Sequence, residues 1–517
     1  MTIVNTNVGS LIAKSSLAAQ NKNMEASIEK LSTGLRINTA SDDAAGMAIS
    51  SRMESTIRGL SQAIRNSSDG KNMFDTIEGA SLEAVNILQR IRALAVQSAN
   101  DSNPGLDRSF LQKELTQLVA EVDRISSHTT WNGKKLLDGT LSGQQIQIGM
   151  FNDEDISFSV DTIASGSIGN YEVDTVNEVD LHASAGAAVI TDNTFTIVGS
   201  VGSKTVTATA ATAKQHAAIA NSVTAETGVT ATAVTKVKIN GLAAVGTGPT
   251  VNGSYTMGLQ GTNTSATTIT FTIDVASDMR ALRDAVNNVS GTTGITAKMG
   301  ATNADVILTH ATGEDIVITA FDNTGTTESA TAYHKLVVTA LAADETAQAS
   351  GTVGAGVTDD GSGFQATLRT QSTNPELSTR THGTVKFQSS EAFSISGYQT
   401  DALPSASTNG SLASLASASL STAVNAEKAI RIVDGALHKI NTVRASLGAM
   451  SNRMDAAIDN LTNVVTNTQA SQSHIQDADF AAETSKLTKA QILAQAATSM
   501  LAQANTSKQS VLSLLQN

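Results

Sequence analysis

Leu111, Leu115, Leu118, Val122 and Ile125 recur at alternating steps of four and three residues, the spacing that lines apolar side chains along one side of a coiled-coil helix. Met53, Ile57, Leu60 and Ile64 keep the same rhythm, and Phe74, Ile77, Ala84, Leu88, Ile91 and Ala95 continue it. Nearer the N-terminus, Leu17, Met24, Ile28, Leu31 and Leu35 repeat it with Asn21 in one seam position. Gly34 and the following "RINTAS" end this first helix, and Ser41 with Asp42 and Asp43 marks a new start. Pro104 in "NDSNPGLD" separates the second helix from the third.

The other end of the chain carries the same signal. Ile440, Val443, Leu447, Met450, Met454, Ala457, Leu461 and Val464 make a long uninterrupted seam. After "HIQDADF" a last helix is marked by Leu487, Ala490, Ala494, Ala497, Leu501, Ala504, Val511 and Leu515. From Ala490 to Asn517 the only charged side chain is Lys508. A lone helix of this kind is marginal in water, because most helix stability comes from packing. Neighbours can cover its uncharged polar faces without the several-kcal/mol cost of burying unpaired charge. The pattern predicts terminal helices that pair with each other and are then enclosed by copies of themselves.

The stretch "LQRIRALAVQSAN" adds a complication. Leu88, Ile91 and Ala95 belong to the seam, whereas Arg90, Leu94 and Gln97 form a second stripe read as nearly opposite, with Ile87 beside it. A helix with a fully solvated far side keeps that side polar, so this stripe is read as a surface for a partner.

From about Leu141 to Leu403 the chain is dominated by Thr, Ala, Gly, Ser and Val. "QQIQIG" and "DISFSV" alternate and predict a hairpin across "MFNDE". Further on, "IANSVTAETGVTA" matches "AVNNVSGTTGITA", each preceded by a strand-like segment, "TFTIV" and "TFTID". The middle is thus an insertion with two strand–helix–strand modules and further β-rich material. The fold class is α+β and multidomain: long coiled-coil-like helices from both termini form a helical bundle around a β-rich insertion. The expected division is 1–41 with 470–517 as terminal helices, 42–175 with 405–469 as bundle and hairpin, and 176–404 as a surface insertion. Its repeats lie near 193–240 and 268–320.

Composition narrows the function. With 34 basic and 47 acidic residues the net charge is −13, which disfavours nucleic acid as a partner. Aromatics are 3% of the chain, with Trp131 alone among tryptophans, so an aromatic-lined pocket is not expected. The absence of cysteine excludes disulfides, thiol catalysis and cysteine-ligated zinc. The first residues lack a basic segment followed by an apolar core, so a cleaved signal peptide is not expected. No apolar run reaches the ~18 residues of a membrane span. The eight histidines include no H-E-x-x-H, and "GSVGSK" lacks P-loop spacing. "DNTGTTE" and "DDGSG" read as turns rather than calcium loops. No catalytic residue, cofactor or metal is expected.

"KLSTGLRINTASDDAAGMAIS", "LQRIRALAVQSAND", "LGAMSNRMDAAIDNL", "DADFAAETSKLTKAQILAQAATSMLAQAN" and "VLSLLQN" strongly resemble bacterial flagellin, in order, over 1–140 and 411–517. The resemblance implies an extracellular helical filament, exported unfolded through the flagellar secretion channel. Its inner tube would use the seams of Leu17, Met24, Ile28, Leu31, Leu35, Leu487, Ala494, Leu501, Val511 and Leu515. The bundle seam would be Leu88, Ile91, Leu115, Leu118, Leu447, Met454 and Leu461. Arg90, Leu94, Gln97 and Glu114 would contact the next subunit and, in free monomers, the Toll-like receptor that recognises flagellin. Ala93 departs from the acidic residue usual in that motif. On this reading Leu94→Asp or Arg90→Glu would impair filament growth and leave the monomer folded. Further implied partners are the flagellar cap, the hook-junction proteins and an export chaperone at the C-terminal helix.

Two rivals stand beside the filament subunit. A hook–filament junction protein shares the terminal helices, but the long insertion and the "VLSLLQN" ending favour the filament. A secreted adhesin or surface enzyme with similar ends would need a ligand pocket or acid–base cluster in the middle, and the sequence offers none.

Overall fold

The computed structural model describes residues 6–175, 179–182, 193–208, 212–245, 253–323, 333–342, 345, 365–369, 378–397 and 407–515. The segments 324–328 and 359–363, and the side chains of Val511 and Leu515, lie outside the described residues. The chain divides into two compact units, Met1–Thr76 with Ser142–Ser159 and Ser446–Asn517, and Ile77–Leu141 with Val160–Ala445.

In the first unit, α1 (Val8–Thr33) stops at Gly34, whose φ of 75° is a left-handed conformation that glycine adopts without strain. Asp43 Oδ1 then accepts from the backbone N–H of Ala45 and Gly46, opening α2 (Ala44–Ala99) as the sequence predicts. α2 passes into the second unit, where Pro104 precedes α3 (Gly105–His128). The hairpin forms between Gln144–Gln147 and Asp155–Phe158 with Ile146 opposite Ile156. Phe158 meets Phe74 of α2 edge-on at 4.9 Å. A Cβ on Gly70 would come within 2.5 Å of Ile146 Cδ1, so a larger residue there would push the tip of the Ile146 side chain aside.

The second unit holds the β-rich material. Its first repeat runs from the hairpin Asn193–Val198/Ser203–Ala208 through α4 (Ala213–Ser222) and the one-turn α5 (Thr224–Thr227) into the long strand Thr230–Val245. Its second runs from Gly253–Gln260/Thr267–Ile273 through α6 (Arg280–Asn288) and the one-turn α7 (Ser290–Thr293) into Ile295–Met299. In both, an asparagine clasps the backbone of the outgoing strand. Asn221 donates to Ala231 O at 2.8 Å and accepts from Ala231 N at 2.7 Å. Asn287 does the same with Ala297 at 2.9 and 2.8 Å.

The modules are therefore hairpin–helix–strand. The two "TFTI" segments are not equivalent: the first opens its hairpin and the second closes it. The true counterpart of Thr267–Ile273 is Ser203–Ala208, whose Thr/Ala-rich text hides the match. Each repeat has its own core, one around Phe195, Ala217, Ala220 and Val229, the other around Tyr255, Leu282, Val286 and Ile295. Thr230–Val245 joins them, pairing antiparallel with Asp305–His310, Tyr333–Leu341 and Thr384–Ser389.

The chain returns through α8 (Ala423–Gln476), and α9 (Phe480–Leu515) closes it. In the first unit Lys71 pairs with Asp455 at 2.6 Å, and in the second Arg444 pairs with Glu78 at 2.6 Å.

Candidate assembly interface

α1 and α9 pack along one another through small and apolar side chains. On α9 the inward positions are Glu483, Leu487, Ala490, Ala494, Ala497, Leu501 and Ala504, as the spacing predicts from Leu487 onward. On α1 they are Ala13, Leu17, Gln20, Met24, Ser27 and Leu31. Leu17, Met24 and Leu31 thus lie where expected, but Asn21 is exposed and Ile28 is 48% exposed. The register passes through Ser27 because its Oγ donates to Glu483 Oε1 at 2.8 Å inside the seam. An isoleucine there would leave the buried carboxylate without that donor. Leu35 lies past the Gly34 cap and bridges Asp477 in the turn between α8 and α9, outside the α1 seam.

The seam is polar at two points. Burial pushes the Glu483 carboxyl up, but the Ser27 hydroxyl, Lys486 and Lys30 outweigh it and hold the group below the usual glutamate range. At the far end, Asn7 Oδ1 accepts from Ser10 N at 3.0 Å while its Nδ2 donates to Ala504 O at 3.1 Å. One side chain thereby caps α1 and fastens it to α9.

The pairing leaves much apolar surface uncovered. Val8, Leu11 and Ile12 of α1 are exposed, Ile12 by 62%. On α9, Phe480, Ile492, Leu493 and Met500 lie outside the seam, with Ile492 60% and Met500 65% exposed. A shallow groove runs along α9 past Phe480, Thr484, Thr488 and Ile492. Covering one such large side chain is worth about 1.5–3 kcal/mol. Apolar surface concentrated on two long helices in this way marks a contact surface.

In the second unit the stripe of Arg90, Leu94 and Gln97 does not lie as expected. Arg90 and Gln97 are exposed, but Leu94 is only 2% exposed and belongs to the subunit's own core. The geometry explains the correction. At about 100° per residue Leu94 stands only ~60° from Ile91, so it flanks the seam instead of opposing it. Buried positions from Leu94 through Ile91, Leu88 and Val85 cover about half of the helix circumference. Ion pairs bound this arc on both sides: Arg90 to Glu114 of α3 at 2.7 Å and Arg92 to Asp434 of α8 at 2.7 Å. Leu94 is thus part of the chain's own packing, whereas Arg90 and Gln97 stay exposed beside it.

Of the bundle seam, Leu88, Ile91, Leu115, Leu447 and Met454 are buried, while Leu118 and Leu461 are half-buried. The sequence reading passed over Leu106 and Phe110 of α3, which are 67% and 56% exposed. Their signal was present: an i, i+4 apolar pair off the Leu111–Leu115 stripe. Among the described residues no helix is long and apolar enough to cross a membrane.

Two family models match the chain: the bacterial flagellin N-terminal helical region over residues 4–142 and the bacterial flagellin C-terminal helical region over residues 430–515. The chain is 38% identical to a B-type flagellin of Pseudomonas aeruginosa, over 99% of both sequences. It is 34% identical to a flagellin of Salmonella choleraesuis and 30% identical to flagellin B of Vibrio cholerae, again over 99% of each.

Proposed function

Because the chain belongs to the bacterial flagellin family, we propose that it is the structural subunit of a flagellar filament, built by self-assembly and serving motility outside the cell. The observation that carries this reading is the apolar surface that α1 and α9 leave outside their mutual seam. Residues such as Ile12, Ile492 and Met500 are satisfied when neighbouring copies stack on the same helices. The near absence of charge after Ala490 serves the same end, because a helix enclosed by neighbours has no solvent for unpaired charges.

In this reading 1–41 and 470–517 build an inner tube, 42–175 and 405–469 an outer tube, and 176–404 the filament surface. Arg90, Gln97 and Glu114 contribute outward polar groups to the subunit contact and to a Toll-like receptor surface. Leu94 supports that face from beneath. Flagellar cap and hook-junction proteins would meet the same terminal helices, and an export chaperone would occupy the α9 groove before assembly. Export through the flagellar secretion channel accounts for a chain without cysteine.

The test is reassembly. Purified full-length protein is dissociated by heat, seeded and imaged by negative stain. Long uniform filaments support the reading. Failure to polymerise, or filaments formed equally well by a chain lacking 1–41 and 480–517, would overturn it.

A further inference from the structure

Among the described residues the histidine side chains divide by place. His128, His438 and His474 on the long helices are exposed, whereas His216, His310 and His382 in the β-rich part of the second unit are buried. The buried three gather around the turn that follows Asp305–His310. Lys214 of α4 donates through its backbone N to Gly313 O at 3.2 Å and through Nζ to Glu314 at 3.0 Å. Thr235 of the long strand donates to Glu314 O at 2.7 Å. Asp315 Oδ2 lies 3.2 Å from both Arg380 Nη1 and His382 Nδ1. His310 Nε2 meets the Thr262 hydroxyl at 2.9 Å. His216 packs edge-on against Phe195, with ring centroids 6.3 Å apart.

We propose that this cluster is an acid-sensitive latch: with His216 and His310 neutral it holds the two repeats on the shared strand, and protonation in mild acid opens them while the helical parts stay closed. Two observations carry this. First, among the described residues the charged groups around this turn are paired with one another. Lys214 comes from α4, Arg380 from Ser378–Thr381, and Glu314 and Asp315 from the turn; Glu314 is already engaged by Lys214, and Asp315 by Arg380 and His382, so a proton added to His216 or His310 meets acids that are shared with other cations. Second, there is little room to hydrate a new charge. A Cβ on Gly313 would come within 2.4 Å of Ala233 Cβ, one on Gly383 within 2.6 Å of Thr235 Oγ1, and one on Gly294 within 2.6 Å of His310 Nε2.

The electrostatics agree. Burial pushes His216 below the ordinary histidine value, with Asp315 opposing and His382 reinforcing it. Burial likewise lowers His310, with Glu314 and Asp315 opposing and Lys214 reinforcing. A base whose folded value is lowered binds fewer protons when folded. Its stability contribution is therefore intact above about pH 6.5, the unfolded histidine value, and is lost as pH falls below it. Ordinary carboxylates titrate below this window.

The test is hydrogen exchange on the full-length monomer between pH 7.5 and 5.0, with rates corrected for intrinsic exchange. Protection of amides in α4 and Thr230–Val245 should fall between pH 6.5 and 5 by up to about tenfold per pH unit for each titrating histidine. Protection in α2 should stay level, and the His216→Gln/His310→Gln variant should lose the pH dependence. Equal protection of α4 at pH 5.0 and 7.5 in the unmodified protein would overturn the proposal, whether or not the variant folds. So would a parallel loss in α2.

Discussion

Ser27 donates a 2.8 Å hydrogen bond to Glu483 from the opposite end of the sequence, inside the seam where α1 and α9 meet. The contact favours this register of the two terminal helices, because sliding either helix would break the bond that ties the buried carboxylate to α1. Ser27→Ala should cost about 1–3 kcal/mol locally, since the glutamate keeps Lys486 on its own helix but loses its charge-assisted bond to α1. Hydrogen exchange of α1 and α9 amides would rise together, and unchanged protection would contradict the assigned register.

The same pair sets an acid limit. Glu483 is held below its ordinary value in the folded chain. Its contribution is present above the unfolded value of about 4.3 and is lost as pH falls below that. The α1–α9 pairing should therefore loosen below about pH 4.3, and Glu483→Gln should abolish this dependence. Helix-resolved exchange against pH reads it directly.

Leu94 belongs to the fold, not to a free surface. Leu94→Ala should destabilise the monomer by about 2–5 kcal/mol through cavity formation. Arg90→Ala, which breaks only an exposed ion pair with Glu114, should stay within about 1 kcal/mol. Chemical denaturation of the unassembled protein distinguishes them. A fully stable Leu94→Ala monomer would contradict the burial.

The repeats predict a matched pair of effects. Asn221→Ala and Asn287→Ala each remove a two-way clasp on an outgoing strand. Each should weaken its own core by about 1–3 kcal/mol, and the double variant should show the sum. Loss of both cores from either single change would show that the repeats do not behave as separate modules.

Helix ends and the α9 seam were legible in the sequence because their causes are local. Gly34, Asp43 and Pro104 act on adjacent backbone, and along α9 the Leu487–Ala504 spacing has no rival. The α1 register was not legible. Leu17, Met24 and Leu31 fit two registers equally, and the choice between Ile28 and Ser27 is made by Glu483 on another helix. Leu94 was misplaced because a stripe flanking a seam and one opposing it look alike until the neighbouring helix is known. In the middle, the clasping asparagines and Gly228 with Gly294 marked the repeat. Period-two alternation, however, does not say which strand pairs with which. The placement of Thr384–Ser389 beside Thr230–Val245 is a tertiary choice.

The most direct measurement of the central claim is seeded elongation, followed by light scattering, for Ile492→Ser/Met500→Ser. Both side chains are exposed and lie outside the α1–α9 seam, so the monomer should keep its helix content and melting behaviour. Elongation should slow at least tenfold, since even about 1.5 kcal/mol of lost burial corresponds to that factor. Growth at the unmodified rate would contradict the claim that the terminal helices are completed by neighbouring copies.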